Sequence, residues 1–116
     1  MESFREKYNL EKRVDESKRV LEKYPDRIPI IVERSNKCND IKDIDKNKFL
    51  VPKDLTCGQL YYIIRKRLSI GEEQALFFFC NNLLHNNSII IQSIYDKYKD
   101  KDGFLYFVYS AENTFG

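Results

Sequence analysis

The stretch Lys48-Phe49-Leu50-Val51-Pro52-Lys53-Asp54-Leu55-Thr56-Cys57-Gly58-Gln59-Leu60 holds two readable signals in thirteen residues. Its first five residues set a short apolar run, Phe49-Leu50-Val51, between a lysine and a proline. Proline has no N–H to give a ladder, so the run reads as a strand at a sheet edge or a strand end. The second signal is Thr56 followed three residues later by Gln59, a capping box that satisfies two helix-start donors reciprocally. Leu60, Ile63, Ile64 and Leu68 then recur at helical spacing. A strand that gives way at once to a helix predicts a crossover through residues 53–75.

Reading upstream, residues 35–47 are polar and predict a loop. Before it, Ile28-Pro29-Ile30-Ile31-Val32 is a β-branched strand, with its proline near the start. Strands 28–32 and 48–52 therefore predict a hairpin with a long connection. Earlier still, Leu10, Val14, Ser17, Leu21 and Tyr24 share one face of a helix that Pro25 ends. Ser3 and Glu6 make a capping box for a short first helix. Downstream, Ala75 to Cys80 has the composition of a buried strand, and Asn81-Asn82 is turn material. Ser88 is placed to cap a helix carrying Ile91, Ile94, Tyr95 and Tyr98. Asp102-Gly103 makes a turn before a last strand, Phe104 to Tyr109.

The element order is helix, helix, strand, strand, helix, strand, helix, strand. This predicts an α+β fold: a four-stranded mixed sheet with a helix on one face, the β-grasp layout, preceded by two additional helices. The expected organisation is a helical extension over residues 1–25, a core domain over 26–109 and a flexible tail over 110–116.

Composition narrows the function classes. A chain of 116 residues, 42% hydrophobic and 33% charged, suits one globular domain. Residues 1–67 hold 17 Lys and Arg against 12 Asp and Glu, while residues 68–116 hold 3 against 6. The first part is suited to acidic partners, or is a solvated surface. Cys38, Cys57 and Cys80 form no CxxC pair and have only His85 for company, so no zinc site is expected. The odd cysteine count and absent secretory signal suit a reducing cytosol. No apolar run reaches the roughly 20 residues that span a bilayer, so membrane attachment would have to be added chemically or through a partner.

Chemistry-bearing candidates are few. Cys57 follows the helix cap Thr56, where a thiol pKa can fall, but only His85 is available as a histidine base. Burial as a small apolar residue is the plainer role. His85 reads as a surface residue beside Asn86 and Asn87. Arg65-Lys66-Arg67 has the charge to meet phosphates, yet the aromatic runs read as core strands rather than a stacking platform, so no nucleic-acid partner is expected. There is no nucleophile–base pair, glycine-rich phosphate loop or carboxylate cluster. The expectation is a non-enzyme with no catalytic residue, metal or cofactor.

Four segments in order resemble one family: Tyr24-Pro25-Asp26-Arg27-Ile28-Pro29, Lys48-Phe49-Leu50-Val51-Pro52, Leu76-Phe77-Phe78-Phe79 and Glu112-Asn113-Thr114-Phe115-Gly116. They look like the autophagy ubiquitin-like modifiers, of the GABA-receptor-associated-protein type, from about residue 9 onward. The resemblance implies a ubiquitin-like fold and a cytosolic protein activated with ATP and passed through enzyme thioesters. It also implies lipid conjugation: Gly116 is joined to phosphatidylethanolamine on autophagosome or other vesicle membranes. In some lineages the family serves a plastid-like organelle membrane. Implied partners are activating and conjugating enzymes, a deconjugating cysteine protease, and receptors bearing peptide motifs. Tubulin, met by the charged amino-terminal helices, is a secondary expectation.

Glycine suits the conjugating role because no side chain obstructs attack on its carboxyl group. Many relatives carry residues beyond this glycine that a protease removes. If Gly116 is the natural terminus, no such priming is required.

The resemblance also implies a groove for peptides of the form aromatic-x-x-aliphatic, added as a strand along an exposed edge. Its aromatic pocket would use Glu16, Val20, Pro29, Ile31, Lys48, Leu50 and Phe104. Its aliphatic pocket would use Phe49, Val51, Pro52, Leu55, Leu60, Ile63 and Ile64. Arg27 and Arg67 would hydrogen-bond the peptide, and Lys46 and Lys48 would attract acidic residues before its aromatic. Val20 is smaller than the family's usual isoleucine, and Leu60 stands where phenylalanine is common, so both pockets should be enlarged. Leu60 and Ile64 also suit a plain core role, and Phe104 a partly core one. The competing class is an unconjugated adaptor for vesicle trafficking or microtubules that uses the same groove.

Overall fold

Both capping boxes form. Ser3 Oγ accepts from Glu6 N–H and Thr56 Oγ1 from Gln59 N–H, and each N3 side chain returns a bond to the cap N–H. The computed structural model describes residues 2–113. In chain order it contains α1 (Phe4–Lys7), α2 (Leu10–Lys23), β1 (Arg27–Arg34), β2 (Lys48–Pro52), α3 (Cys57–Leu68), β3 (Phe77–Cys80), β4 (Leu83–Leu84), α4 (Ile91–Tyr98) and β5 (Leu105–Ser110). No helix among the described residues is long and apolar enough to cross a membrane.

The strands form one mixed sheet in the order β2-β1-β5-β3-β4. Strand β1 pairs antiparallel with β2 and parallel with β5; β3 pairs antiparallel with β5 and β4. The fold is the expected ubiquitin-like β-grasp with two leading helices, plus a fifth strand two residues long. That strand exists because Asn81 and Asn82 both take positive φ, 54° and 61°, and fold the chain straight back. Two leucines are too few to show a period of two in sequence.

Alternation along each strand sorts the sheet into two faces. One face presents Ile28, Ile30 and Val32 of β1, Val51 of β2, Phe78 of β3 and Leu105 and Phe107 of β5. These join Leu60, Ile64 and Leu68 of α3 and Ile91 and Ile94 of α4 in the main core. Phe78 and Phe107 stack at 4.5 Å between ring centroids. On the other face Ile31 and Phe104 are buried under Phe4 of α1, with Tyr8 and Tyr106 at the margin.

Three local expectations are corrected. The helix α2 buries only the middle of the expected face: Ser17 is buried and Val14 and Leu21 are half-buried, while Leu10 and Tyr24 remain 38% and 43% exposed, and Arg13, which lies off that face, is buried. The reason is tertiary. Arg13 Nη1 donates to Asp102 Oδ2 at 2.9 Å, and Ser17 Oγ donates to the Asp102 carbonyl at 2.5 Å. Secondly, Ser88 does not cap α4. Its N–H and hydroxyl both turn to Asn86 Oδ1, and the N-cap is Ile90, with no side-chain bond. The first donors of α4 go instead to backbone carbonyls before α3, from Ile91 N–H to Leu55 and from Gln92 N–H to Lys53.

The third correction, and a feature of the loop before β2, concern burial. Residues 35–47 form the expected loop, and its Cys38, Ile41 and Ile44 plug the main core. Tyr109 donates its hydroxyl to the Lys42 carbonyl at 2.6 Å, which pins this loop from below. His85 is half-buried rather than on the surface; its Nε2 lies 3.0 Å from the Cys80 carbonyl oxygen and its ring meets Tyr98 edge-on.

Candidate functional site: an edge strand with two unlike faces

Strand β2 ends the sheet. It pairs with β1 in the register Arg27↔Pro52, Pro29↔Leu50 and Ile31↔Lys48, and no described strand lies on its other side. A free strand edge presents unpaired N–H and C=O groups. Because side chains alternate, Phe49 and Val51 face the α3 side, while Lys48, Leu50 and Pro52 face the α2 side. Lys48 Nζ meets Glu16 Oε1 of α2 at 2.6 Å, which closes that side with an ion pair. Lys48 is exposed and Glu16 half-buried, so the pair holds the two elements in register more than it stabilises the fold.

Of the residues expected in the aromatic pocket, Glu16 and Lys48 meet in that ion pair, and Pro29, Ile31, Lys48 and Leu50 are neighbours in the β1–β2 register. Glu16 and Val20 of α2 and Leu50 of β2 are half-buried, Lys48 is exposed and Pro29 is buried. Ile31 and Phe104, at 0% and 2% exposure, lie in the small cluster capped by Phe4, whose ring sits 5.3 Å from that of Phe104. They lie beneath this side of the sheet rather than on an open surface. Sequence reading missed Phe4. Its capping box announced a helix, but nothing local says that this helix folds over Ile31.

On the α3 side, Phe49 and Leu55 are half-buried against the main core, Pro52 is exposed and Ile63 is 40% exposed. Val51 is buried, and Leu60 and Ile64 have no exposure at all. Of the two readings open for Leu60 and Ile64, the core one describes their position. Phe49, Pro52, Leu55 and Ile63 are the members of this set that a second chain can touch.

The cations around the groove differ in what they meet. Lys46 Nζ lies 5.3 Å from the centroid of the Phe49 ring, and Arg27 is exposed at the start of β1. Arg67 Nε donates to Asp45 Oδ1 at 3.0 Å, a partner not foreseen from sequence. The Arg67 hydrogen bond, with its charge, holds the Asp45 carboxyl below its ordinary value. Its neighbours in the basic cluster diverge. Arg65 Nη2 ties the loop after α3 by donating to the Gly71 and Gln74 carbonyls, both at 2.7 Å, and Lys66 lies over Tyr62.

The cysteines are all free and buried. Burial raises the pKa of the Cys57 thiol, the reverse of what a helix amino terminus would do to an activated nucleophile. Burial, with Cys57 nearby, pushes Cys80 up to about 12.

A family model described as autophagy protein Atg8, ubiquitin-like, matches residues 12–116. The chain belongs to that family. It is 54% identical to autophagy-related protein 8d of Arabidopsis thaliana, over 98% of this chain and 94% of the relative. It is 50% identical to autophagy-related protein 8 of Schizosaccharomyces pombe, over 97% of this chain and 93% of the relative. Among solved structures it matches Plasmodium falciparum Atg8, in complex with a peptide of P. falciparum Atg3, with a TM-score of 0.89. That match has 33% identity and covers 97% of this chain and 98% of the other. The family member described here is thus an autophagy ubiquitin-like protein by sequence and by fold. Gly116, the expected conjugation point, lies outside the described residues.

Proposed function

We propose that this chain is a conjugated modifier: its Gly116 carboxyl group is joined to phosphatidylethanolamine, and its β2 edge docks receptors carrying aromatic-x-x-aliphatic motifs. It acts on autophagosome or other vesicle membranes, is handled by activating and conjugating enzymes and a deconjugating protease, and performs no chemistry itself. The observation that carries the docking half is the two-sided edge. In an extended peptide, residues three apart point to opposite faces. A peptide added along β2 would therefore send its aromatic side chain toward Glu16, Val20 and Leu50 and its aliphatic one toward Phe49, Leu55 and Ile63. The Plasmodium relative, solved with a peptide of Atg3, supports a peptide from the conjugating machinery as one such ligand.

Two measurements test the halves separately. Incubation with activating and conjugating enzymes, ATP and phosphatidylethanolamine liposomes should add one lipid mass to the protein but not to Gly116→Ala. No addition, with enzymes active on another substrate, would leave an unconjugated adaptor. For docking, a motif peptide should bind in the micromolar range, and Leu50→Ala and Ile63→Ala should each weaken it about tenfold. Unchanged affinity in both variants would remove β2 as the docking edge.

A further inference from the structure

Residues 68–116 carry no arginine and only three lysines, Lys97, Lys99 and Lys101. All three line one cavity of 690 Å3, together with Arg5 from the other end of the chain. This cavity lies toward the β3–β4 end of the sheet, away from β2. Its walls are the carboxy-terminal turn of α4, the Asn81-Asn82 hairpin tip and α1, and Tyr106 and Val108 of β5 contribute to its floor. The one carboxylate in it, Asp100, is already engaged: Oδ1 accepts from Arg5 Nη2 at 2.7 Å and Oδ2 from the Asp102 N–H at 3.1 Å. The three lysines are exposed and have no ion pair among the described residues. Lysines after a helix also complement its dipole, but that does not account for Arg5 arriving from residue 5 to the same place.

We propose that this cavity binds a small polyol bearing several phosphates, an inositol phosphate either free or as the headgroup of a phosphoinositide. The side chains on offer are cations and the carboxamides of Asn81 and Asn82. Lysines act as flexible point charges, which suits several phosphates better than one fixed oxyanion. The volume is far larger than a single phosphate needs. A nucleotide would need a free aromatic face to stack on, but the Tyr106 ring is covered by the Arg5 guanidinium at 3.8 Å, and the Tyr98 ring has Lys97 Nζ over it at 5.4 Å and His85 against it at 5.5 Å. An extended acidic peptide would need a strand edge, and the strands beneath, β3 and β5, are each paired on both sides.

The test is a titration of the full chain with inositol 1,4,5-trisphosphate at about 0.15 M salt, where loose surface attraction is largely screened, followed by calorimetry and by amide chemical shifts. The expected result is saturable binding with shifts at Asn81, Asn82 and residues 97–101. A Lys99→Glu/Lys101→Glu variant should lose at least about tenfold in affinity, as charge-assisted contacts do. Lys18→Glu/Lys23→Glu on α2 has the same charge change and should move it less than about twofold. No saturable binding by the wild type, equal losses in both variants, or equal binding of an acidic peptide of matched charge would each overturn the proposal. Vesicles of phosphatidylcholine with a phosphoinositide, against vesicles of equal charge in phosphatidylserine, separate the sources. Capture by the first alone supports the headgroup, and binding confined to the free trisphosphate supports the soluble ligand.

Discussion

At Asp102 one buried carboxylate ties the amino-terminal helices to the sheet. Its side chain has no exposure and accepts from Arg13 Nη1 at 2.9 Å, from the Tyr106 hydroxyl at 2.5 Å and from the Phe104 N–H at 2.8 Å. Burial works against the charge on Arg13, but Tyr106 and Asp102 outweigh it, and its pKa stands above the ordinary value. Removing one partner of such a pair strands the other charge, which costs about 3–5 kcal/mol. Asp102→Ala should lower the urea midpoint accordingly with an unchanged m-value. A midpoint within about 0.5 kcal/mol of wild type would mean that water replaces the carboxylate. Gly103 belongs to the same contact. It holds φ at +91°, and a Cβ there would come within 2.5 Å of Ser17 Oγ. The turn at Asp102-Gly103 was legible from residue type, but its role as an anchor for α2 was not. Of the two residues it binds, Ser17 falls on the inward face by its spacing, but Arg13 looks like a solvated position on the charged face.

Among the elements, the contrast between α3 and α4 shows where local rules suffice. The helix α3 starts at a capping box that a sequence pattern can specify; α4 starts on donors accepted by Leu55 and Lys53 carbonyls, which only the folded chain supplies. Thr56→Ala should cost about 1 kcal/mol in thermal or chemical unfolding. Ser88→Ala should stay within about 0.5 kcal/mol, because Ser88 caps nothing. The edge strand β2 carries its own prediction. A peptide with its aromatic and aliphatic residues two apart would place both on one face. Shortening the motif by one residue should therefore weaken binding at least about tenfold, whatever its composition. Equal binding of both spacings, read by fluorescence anisotropy, would dismiss strand addition along β2.

Over the whole molecule, the helical extension is joined to the sheet by polar as well as apolar contacts, so its docking responds to acid. Burial raises the Asp100 pKa, but the Asp102 N–H and Arg5 outweigh it, and the value lies below the ordinary one. A depressed folded value means that this contribution is complete above the unfolded pKa of about 3.9 and is lost as pH falls through the folded value. Asp100→Asn should flatten the stability–pH curve in that acid window and leave the slope near neutrality unchanged. An identical acid limb in the variant would assign the loss to other carboxylates.

By itself, the sequence determined the element order, the two capping boxes, the hairpin between the β1 and β2 segments and the edge character of Lys48–Pro52. Each of these is written in local periodicity, capping chemistry or the missing N–H of proline. It also identified the family, through four separated segments. The tertiary structure decided which face each segment buries. Ile64 became core because α3 packs on the sheet, Ile31 was closed over by Phe4, and the polar loop 35–47 turned Cys38, Ile41 and Ile44 inward. It also gathered Arg5 with three lysines more than ninety residues away. Burial and charge convergence depend on contacts between segments far apart in the chain, and no local pattern encodes the distance between them.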